Sequence, residues 1–188
     1  MNALYKLLNA IVRFRFKPRS LSLVFLIAMI STSSFARTTS DLKRDKTSKP
    51  KEIIVFAEVK SGQSILDLFG GGGYYSELLS TQVGEKGQVV LHNNQAYLPY
   101  VGKDLGERMA GGRLKNVKQL MSEAQSLKLG DKVFDTAFFI LGYHDLYVSS
   151  KDWQVTAELV ISQLYKALKP GGRLLIVDHS AKEGKAET

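Results

Sequence analysis

The 188-residue chain contains no cysteine, and this absence excludes several kinds of chemistry. Without a thiol the protein can form no disulfide, no thiolate nucleophile and no zinc–thiolate site. A lipid anchor of the kind attached to an N-terminal cysteine is excluded as well. Histidine is nearly as scarce: only His92, His144 and His179 occur, too few and too scattered along the chain to predict a metal site.

Long hydrophobic runs are also missing, apart from one near the N-terminus. Leu21–Ile30 is a ten-residue run that is apolar except for Ser22, whereas a helix that spans a bilayer needs about 20 apolar residues. The run follows Met1–Ser20, which carries basic residues and no acidic one, and it precedes the small-x-small sequence Ser34–Ala36. This order is typical of a secretory signal peptide. We therefore expect cleavage after Ala36 and a periplasmic or secreted protein; the alternative is an uncleaved segment that anchors the protein to the inner membrane.

Acidic residues are fewer than basic ones, which gives the whole chain a formal net charge of +8. Five of the positive charges lie in the expected signal peptide, so the charge of Arg37–Thr188 is only +3. The positive excess therefore belongs to the targeting segment and does not predict nucleic-acid binding. An apolar fraction of 44% is sufficient for one core. We expect 1–36 to be the signal peptide, 37–50 a polar linker and 51–188 a single domain.

The most informative stretch of the chain is Ile65–Leu79, which reads ILDLFGGGGYYSELL. Apolar residues around Asp67 predict a short buried strand, four glycines (Gly70–Gly73) follow, and a helical pattern begins at Tyr74. Glycines let a ligand approach the backbone closely, and the helix N-terminus presents free N–H groups to it. Because open α/β sheets bind ligands at the carboxyl ends of their strands, this turn predicts a ligand site rather than a glycine-rich surface loop.

The motif does not fit a dinucleotide-binding protein. A G-x-G-x-x-G fingerprint that starts at Gly70 would need its third glycine where Tyr75 stands. It would also need an acidic residue after the second predicted strand, Gln88–His92, where Asn93 and Asn94 follow instead. NAD and FAD are therefore disfavoured.

Asp67 followed by glycines resembles motif I, D-x-G-x-G-x-G, of class I S-adenosylmethionine (SAM)-dependent methyltransferases. Aligned on Asp67, the three glycine positions hold Phe69, Gly71 and Gly73, so the first departs from the family pattern. Two later segments resemble the same family in the correct order. Leu127–Tyr147 is similar to the lead into the fourth strand and its following motif, and Leu164–Ser180 to a helix, a Pro-Gly-Gly turn and the fifth strand.

The overall pattern is closest to predicted exported methyltransferase-like proteins with FGGGGYY-type and YHDLY-type segments. The resemblance implies an enzyme that uses SAM as its cofactor and methylates a small molecule or an envelope component. The pattern of the chain predicts an α/β fold with a doubly wound, Rossmann-like parallel sheet. The predicted elements are a short helix at 51–59, strands at 64–69, 88–92, 116–121, 133–141 and 173–178, and helices at 74–83, 102–111 and 151–168.

The family's sheet has seven strands, and this chain has sequence for about five, so we expect the final two to be missing. The fifth strand would then be an open apolar edge, where a second copy of the chain could pair as a homodimer.

The resemblance also implies which groups would contact the cofactor. The glycine turn with Phe69, Gly70, Gly71 and Gly73 would face the methionine part of SAM. Asp67 would either reach the SAM ammonium group or only organise the turn.

The other cofactor candidates follow the second and third strands or open the first crossover helix. Asn93 or Asn94 would replace the usual ribose-binding acid, since an amide both donates and accepts hydrogen bonds; otherwise the pair only forms a turn. Glu123 and Ala124 match the family's acid-Ala pair near adenine, with an ordinary solvated glutamate as the alternative. Tyr75 could attract the sulfonium through its ring face, or it could simply pack in the core.

The catalytic candidates follow the fourth strand, where the family places substrate-facing groups. Methyl transfer is an in-line displacement, and a general base helps when the acceptor must lose a proton. His144 is the best base candidate because histidine titrates near neutral pH, with Tyr143 or Asp145 in support. The alternative is a His-Asp pair that only caps a helix. His179, just past the fifth strand, is a second base candidate.

Three functions stay open at this point. The leading one is an exported SAM-dependent methyltransferase, which would need a source of SAM outside the cytoplasm. The second is a nucleoside- or SAM-binding module without turnover, favoured by the missing strands, by Phe69 and by the absent ribose acid. The third is an interaction protein that uses the open sheet edge.

Overall fold

The computed structural model describes residues 37–148, 153 and 155–180. The strands are β1 (Ser64–Leu68), β2 (Gln88–Asn93), β3 (Val117–Met121), β4 (Phe134–Ile140) and β5 (Leu168–Val177). The helices are α1 (Thr39–Ser48), α2 (Pro50–Phe56), α3 (Tyr74–Val83), α4 (Leu98–Met109) and α5 (Ala157–Ala167). The strands form one parallel sheet in the order β3-β2-β1-β4-β5, so the predicted doubly wound α/β fold is confirmed.

β1 lies at the centre of the sheet because it is apolar on both faces. All five of its residues are buried, and it pairs with β2 on one side and with β4 on the other. Successive side chains point to opposite faces. Ile65 accordingly packs in a cluster that includes Leu79 of α3, whereas Leu66 packs in a second cluster that includes Leu164 of α5. The carboxyl end of β1, where the glycine turn begins, is thereby held between two cores.

The expectation of a linker over 37–50 is wrong, because most of that segment is helix α1. The helix begins at a capping box: the Thr38 hydroxyl accepts from the Asp41 N–H (3.0 Å), and the Asp41 carboxylate accepts from the Thr38 N–H (3.1 Å). The helix is polar and has no apolar stripe, so hydrophobic periodicity gave no signal for it. An ion pair between Asp41 and Arg108 joins it to the domain instead.

Two helices have other boundaries than predicted. α4 begins at Leu98, earlier than the predicted start at 102, and carries Pro99 in its first turn, where proline is tolerated. α5 begins only at Ala157, because Thr156 is extended and caps the helix by accepting from the Leu159 N–H. A side-chain cap therefore sets the start of α5, whereas α4 has no such cap and starts with a proline in its first turn.

The Pro-Gly-Gly sequence is part of a strand rather than a turn before it. The preceding helix ends at Ala167, and β5 starts directly at Leu168. Pro170–Gly172 therefore lies inside β5, where the pairing with β4 shifts register. Gly172 fits this irregularity because an added Cβ would lie 2.9 Å from the Lys169 carbonyl oxygen.

β5 forms one edge of the sheet in the described part of the chain, and pairing of a second copy along it stays a prediction. None of the described helices has the length and apolarity needed to cross a bilayer. The expected signal peptide, 1–36, lies outside the described residues.

Candidate cofactor and acceptor site

The glycine turn after β1 is clamped by an asparagine from the end of β2. The Asn93 side chain accepts from the Gly71 N–H through Oδ1 and donates to the Gly71 carbonyl through Nδ2, both at 2.9 Å. Gly71 and Gly73 have φ angles of +57° and +80°, which favour glycine. Asn93 is fully buried. Its amide therefore holds the shape of the turn. A contact with ribose would have to replace one of these two hydrogen bonds to Gly71.

Asp67 lies under the same turn and is buried. Its Oδ2 accepts a hydrogen bond from the Ser76 hydroxyl of α3 at 2.6 Å. Burial raises the pKa of Asp67 to about 6, against the opposing effect of the hydrogen bonds from Ser76. A Cβ at Gly70 would lie 2.6 Å from this Oδ2, so only glycine lets the turn pass this close to the carboxylate. Asp67 organises the turn and also lines the cavity beside it.

An arginine of α4 connects the turn to α1 and α3. Arg108 is 9% exposed, and its Nε donates to the Gly72 carbonyl at 2.7 Å. Its terminal nitrogens donate to both carboxylate oxygens of Asp41 (3.0 and 2.8 Å) and to Glu77. Burial acts to raise the pKa of Asp41, but the hydrogen bonds from Arg108 and Thr38 outweigh it and lower the pKa to about 2. Arg108 thus joins the turn to side chains of α1 and α3.

A cavity of about 280 Å³, here called the glycine-turn cavity, opens between the turn, α1 and α4. Arg44 of α1 lines it, with its guanidinium carbon 4.1 Å from the centre of the Tyr74 ring. Asp67 and Tyr75 line it as well. The Tyr75 hydroxyl is buried and has no hydrogen-bond partner within the described residues. A ligand with an acceptor atom would satisfy this donor.

The groups expected near ribose and adenine lie at the ends of β2 and β3. Asn94 is buried, and in the described part of the chain its Oδ1 has no partner. Glu123 is exposed, and its Oε1 accepts from the Gln95 N–H at 3.4 Å. Ala124 is buried, and its carbonyl accepts from Gln163 Nε2 at 3.0 Å. Of the two asparagines, Asn94 is therefore the one with an unused polar atom.

Phe69, at the departing motif position, has a φ of +50° and is 6% exposed. The residue also lines the glycine-turn cavity. Its ring, however, packs in an aromatic cluster, with centroids 5.2 to 5.7 Å from those of His92, Tyr97, Phe139 and Trp153. The side chain that replaces a motif glycine therefore joins the turn to the core.

A second cavity of about 410 Å³, here called the aromatic cavity, has walls that are mainly apolar and aromatic. Val101 lines both cavities, so the two adjoin. Asp145 is the acidic group in the wall: its Oδ2 accepts from the Tyr97 hydroxyl at 2.7 Å, and its carbonyl accepts from Trp153 Nε1 at 2.6 Å. The residues that line this cavity are Ala96, Tyr97, Tyr100, Val101, Asp145, Val148 and Trp153.

His144 is oriented by a carboxylate from the end of β5. Its Nδ1 lies 2.8 Å from Asp178 Oδ1, and its backbone N–H donates to Asp178 Oδ2 at 2.9 Å. Asp145 Oδ1 lies 3.4 Å from His144 Nε2. The Tyr143 hydroxyl instead pairs with that of Tyr147 at 2.7 Å. The ring centroids of His144 and His179 are 5.4 Å apart, so the fold brings the two base candidates together.

Three residues of this site were missed in the sequence. Arg44 lies in the predicted linker, and Arg108 lies in the last turn of α4, where apolar spacing gives no signal for a buried arginine. Asp178 had a usable signal, because it is a carboxylate at the end of the strand predicted at 173–178. The strand-end rule that pointed to the glycine turn would have found it.

Comparison with known proteins gives a consistent family. A family model described as the ubiE/COQ5 methyltransferase family matches residues 40–186. The ubiquinone/menaquinone biosynthesis C-methyltransferase UbiE of Legionella pneumophila strain Paris is 35% identical over 127 residues, which are 68% of this chain and 47% of that protein. The protein of the same name from Haemophilus ducreyi is 35% identical over 65% of this chain and 43% of its own length. The chain thus spans about half the length of these curated relatives.

Solved structures share the fold. A SAM-dependent methyltransferase from Aquifex aeolicus superimposes with a TM-score of 0.59 and 26% identity, covering 79% of this chain and 76% of that one. A putative methyltransferase from Bacillus halodurans has a TM-score of 0.57 at 23% identity, over 74% of this chain and 54% of its own.

Proposed function

Because the chain belongs to the ubiE/COQ5 methyltransferase family, we propose that it transfers a methyl group from SAM to a small aromatic acceptor. The family and the Aquifex aeolicus structure imply SAM as the cofactor. The observation that carries the proposal is the clamped glycine turn beside two adjoining cavities of different chemistry. The glycine-turn cavity has charged groups of both signs, whereas the aromatic cavity is mainly apolar.

The glycine-turn cavity fits the methionine part of SAM in charge. That part carries one carboxylate and one ammonium group, and the cavity offers the Arg44 guanidinium and the Asp67 carboxyl. We assign the SAM carboxylate to Arg44 and the ammonium to Asp67. An ammonium beside Asp67 would favour its ionised form and offset its burial. The unpartnered Asn94 Oδ1 and the exposed Glu123 remain available for the ribose and adenine.

The aromatic cavity fits a ring-shaped acceptor. Tyr97, Tyr100 and Trp153 supply flat apolar surface, and the shared Val101 places this cavity next to the one assigned to the methyl donor. The curated relatives are named for C-methylation in ubiquinone and menaquinone biosynthesis. We extend to this chain only the class of acceptor, an aromatic ring with an ionisable hydroxyl.

His144 is proposed as the general base. When Nδ1–H donates to Asp178, Nε2 keeps a free lone pair, and it lies beside Asp145 of the aromatic cavity. SAM bound beside the turn would supply the methyl group, and His144 would take up the proton that the acceptor loses. A positioned base contributes about 10²- to 10⁴-fold.

Titration calorimetry on the full chain with SAM and S-adenosylhomocysteine tests the cofactor assignment. We expect the wild type to bind and Arg44→Ala to weaken SAM binding about tenfold, which corresponds to about 1.4 kcal/mol. Lys43→Ala, on the same helix but outside the cavity lining, is the matched control and should bind as the wild type does. A folded wild type that binds neither compound would overturn the cofactor site.

Turnover separates an enzyme from a binding module. With a panel of phenols and hydroquinones, we expect release of S-adenosylhomocysteine, and His144→Ala should lower its rate about 10²- to 10⁴-fold. SAM affinity should not change, because His144 does not line the glycine-turn cavity. SAM binding without any turnover would favour the second candidate function, a SAM-binding module.

We also propose that residues 1–36 direct export, on the basis of their sequence alone. The intact mass of the protein from separated cell fractions tests this. A periplasmic form that starts at Arg37 would support it, and an unprocessed form in the membrane fraction would indicate an anchor. An unprocessed cytoplasmic form would contradict export.

A further inference from the structure

Two histidines and a carboxylate meet where β4 and β5 end. His144 follows β4, and Asp178 and His179 follow β5. Each of the three side chains offers one ligand atom, and these atoms lie within 4.8 Å of one another. The geometry points to a binding site for one divalent transition-metal ion, with His144 Nδ1, an Asp178 oxygen and a His179 ring nitrogen as ligands.

The spacing of the donors suits such an ion. Ligands held about 2.0–2.2 Å from a zinc ion at tetrahedral angles lie a little over 3 Å apart. His144 Nδ1 and Asp178 Oδ1 are already 2.8 Å apart, and rotation of the two exposed imidazoles can close the remaining distance. Imidazole suits zinc, copper, iron and nickel, whereas magnesium and calcium prefer oxygen ligands. The two-histidine, one-carboxylate set therefore favours a transition metal.

Backbone hydrogen bonds hold the Asp178 carboxylate in place at the proposed site. Its Oδ1 accepts from the His179 N–H at 2.7 Å, and its Oδ2 accepts from the His144 N–H at 2.9 Å. These two backbone N–H groups fix the Asp178 carboxylate in position between the two histidines.

Asp145 supplies the outer partner that metal-bound histidines almost always have. When the ion takes Nδ1 of a neutral His144, the ring proton moves to Nε2. Asp145 Oδ1 lies 3.4 Å from that nitrogen and can accept its hydrogen bond. The His144 side chain is 49% exposed, which leaves room for water or an acceptor oxygen on the ion.

The site shares His144 with the proposed base, yet ion binding does not rest on methyl transfer. In the metal-free protein Asp178 holds the imidazole ready to accept a proton. In the loaded protein the ion occupies Nδ1 and can itself acidify a bound hydroxyl group. Ion binding can be measured with no methyl donor present, so the two proposals can fail independently.

Cobalt titration of the metal-stripped full chain tests the site. We expect one Co²⁺ per chain with visible absorption bands, and Zn²⁺ should displace it. His179→Ala and Asp178→Asn should each weaken Co²⁺ binding at least tenfold, with circular dichroism to confirm that each variant is folded. Glu85→Gln removes an exposed carboxylate from the turn between α3 and β2, at the end of the sheet opposite the cluster, and should change nothing.

Two results would overturn the site. One is Co²⁺ binding so weak that Glu85→Gln lowers it as much as His179→Ala does. The other is tight binding that requires His144 but not His179, because the proposed ligand set would then be incorrect. Calorimetry with SAM on the same samples shows separately whether the cofactor site is intact.

Discussion

Among single residues, Asp67 has the clearest measurable consequence, because its pKa is raised from 3.8 to about 6 by burial. The folded protein therefore holds a proton on Asp67 that the unfolded chain releases near pH 4. The stabilisation of the folded state by this proton is complete below pH 4 and is lost as the pH rises through about 6. The shift corresponds to about 3 kcal/mol.

We expect Asp67→Asn to remove this loss. The amide oxygen still accepts from Ser76, and it cannot ionise, so the variant should gain about 3 kcal/mol relative to wild type between pH 4 and pH 7. Urea unfolding of both proteins across that range measures the difference. Asp131→Asn changes an exposed carboxyl and should keep the wild-type profile. Parallel profiles for Asp67→Asn and wild type would contradict the raised pKa.

The Asp67→Asn variant is needed for comparison because a second buried group, His92, titrates in the same pH range. Burial lowers the pKa of His92 from 6.5 to about 4. The unfolded chain therefore binds a proton that the folded one does not, and stability falls as the pH drops from about 6.5 to 4. This effect opposes that of Asp67, so the two partly cancel in the stability of the wild-type protein as a function of pH.

Among the secondary-structure elements, α1 is unusual because ionic contacts rather than an apolar stripe connect it to the glycine turn. Arg108 makes these contacts from α4 to Asp41 and to the Gly72 carbonyl. A polar helix held in this way depends on the buried charges being paired. The arrangement makes α1 part of the wall of the glycine-turn cavity, although its sequence has no hydrophobic period.

We expect Arg108→Met to lower the free energy of unfolding by about 3–5 kcal/mol, because it leaves Asp41 buried without its cationic partner. SAM affinity should fall as well, since the Gly72 carbonyl loses its donor. Urea unfolding and calorimetry measure the two effects. Lys103→Met, exposed on the same helix, should change neither. A loss below about 1 kcal/mol would show that other contacts hold α1.

At the scale of the whole molecule, the candidate site joins parts that are distant in sequence. The glycine turn, α1 and α4 form one cavity, and segments after β2 and β4 form the adjoining one. A ligand that binds only the folded state stabilises it by about 2.7 kcal/mol when its concentration is 100 times its Kd. SAM should therefore protect the entire fold.

We expect SAM at that concentration to raise the melting temperature by about 5–10 °C, as measured by scanning calorimetry. Gly71→Val should abolish the rise, because a β-branched side chain is strained at a φ of +57° beside the clamp. Gly62→Val introduces similar strain at a φ of +84° in a turn with open space around it and should keep the rise. Equal shifts in both variants would place the ligand elsewhere.

The sequence by itself determined the elements whose signal is local. The buried pattern of β1, the four glycines and the helical spacing from Tyr74 gave α3 at its observed bounds, and the alternation of strands and helices gave the parallel sheet. These features follow from the chain's own periodicity and from the backbone freedom of glycine. The family resemblance rested on the same segments.

Only the tertiary structure decided what the polar side chains do. Asn93 looked like a ribose ligand, but the pairing of β1 with β2 places its amide on Gly71. Asp178 and His179 are far from His144 in sequence, and they meet because parallel β4 and β5 end on the same side of the sheet. Hydrogen bonds and ion pairs depend on distances of a few ångströms between remote residues, and the packed sheet sets those distances.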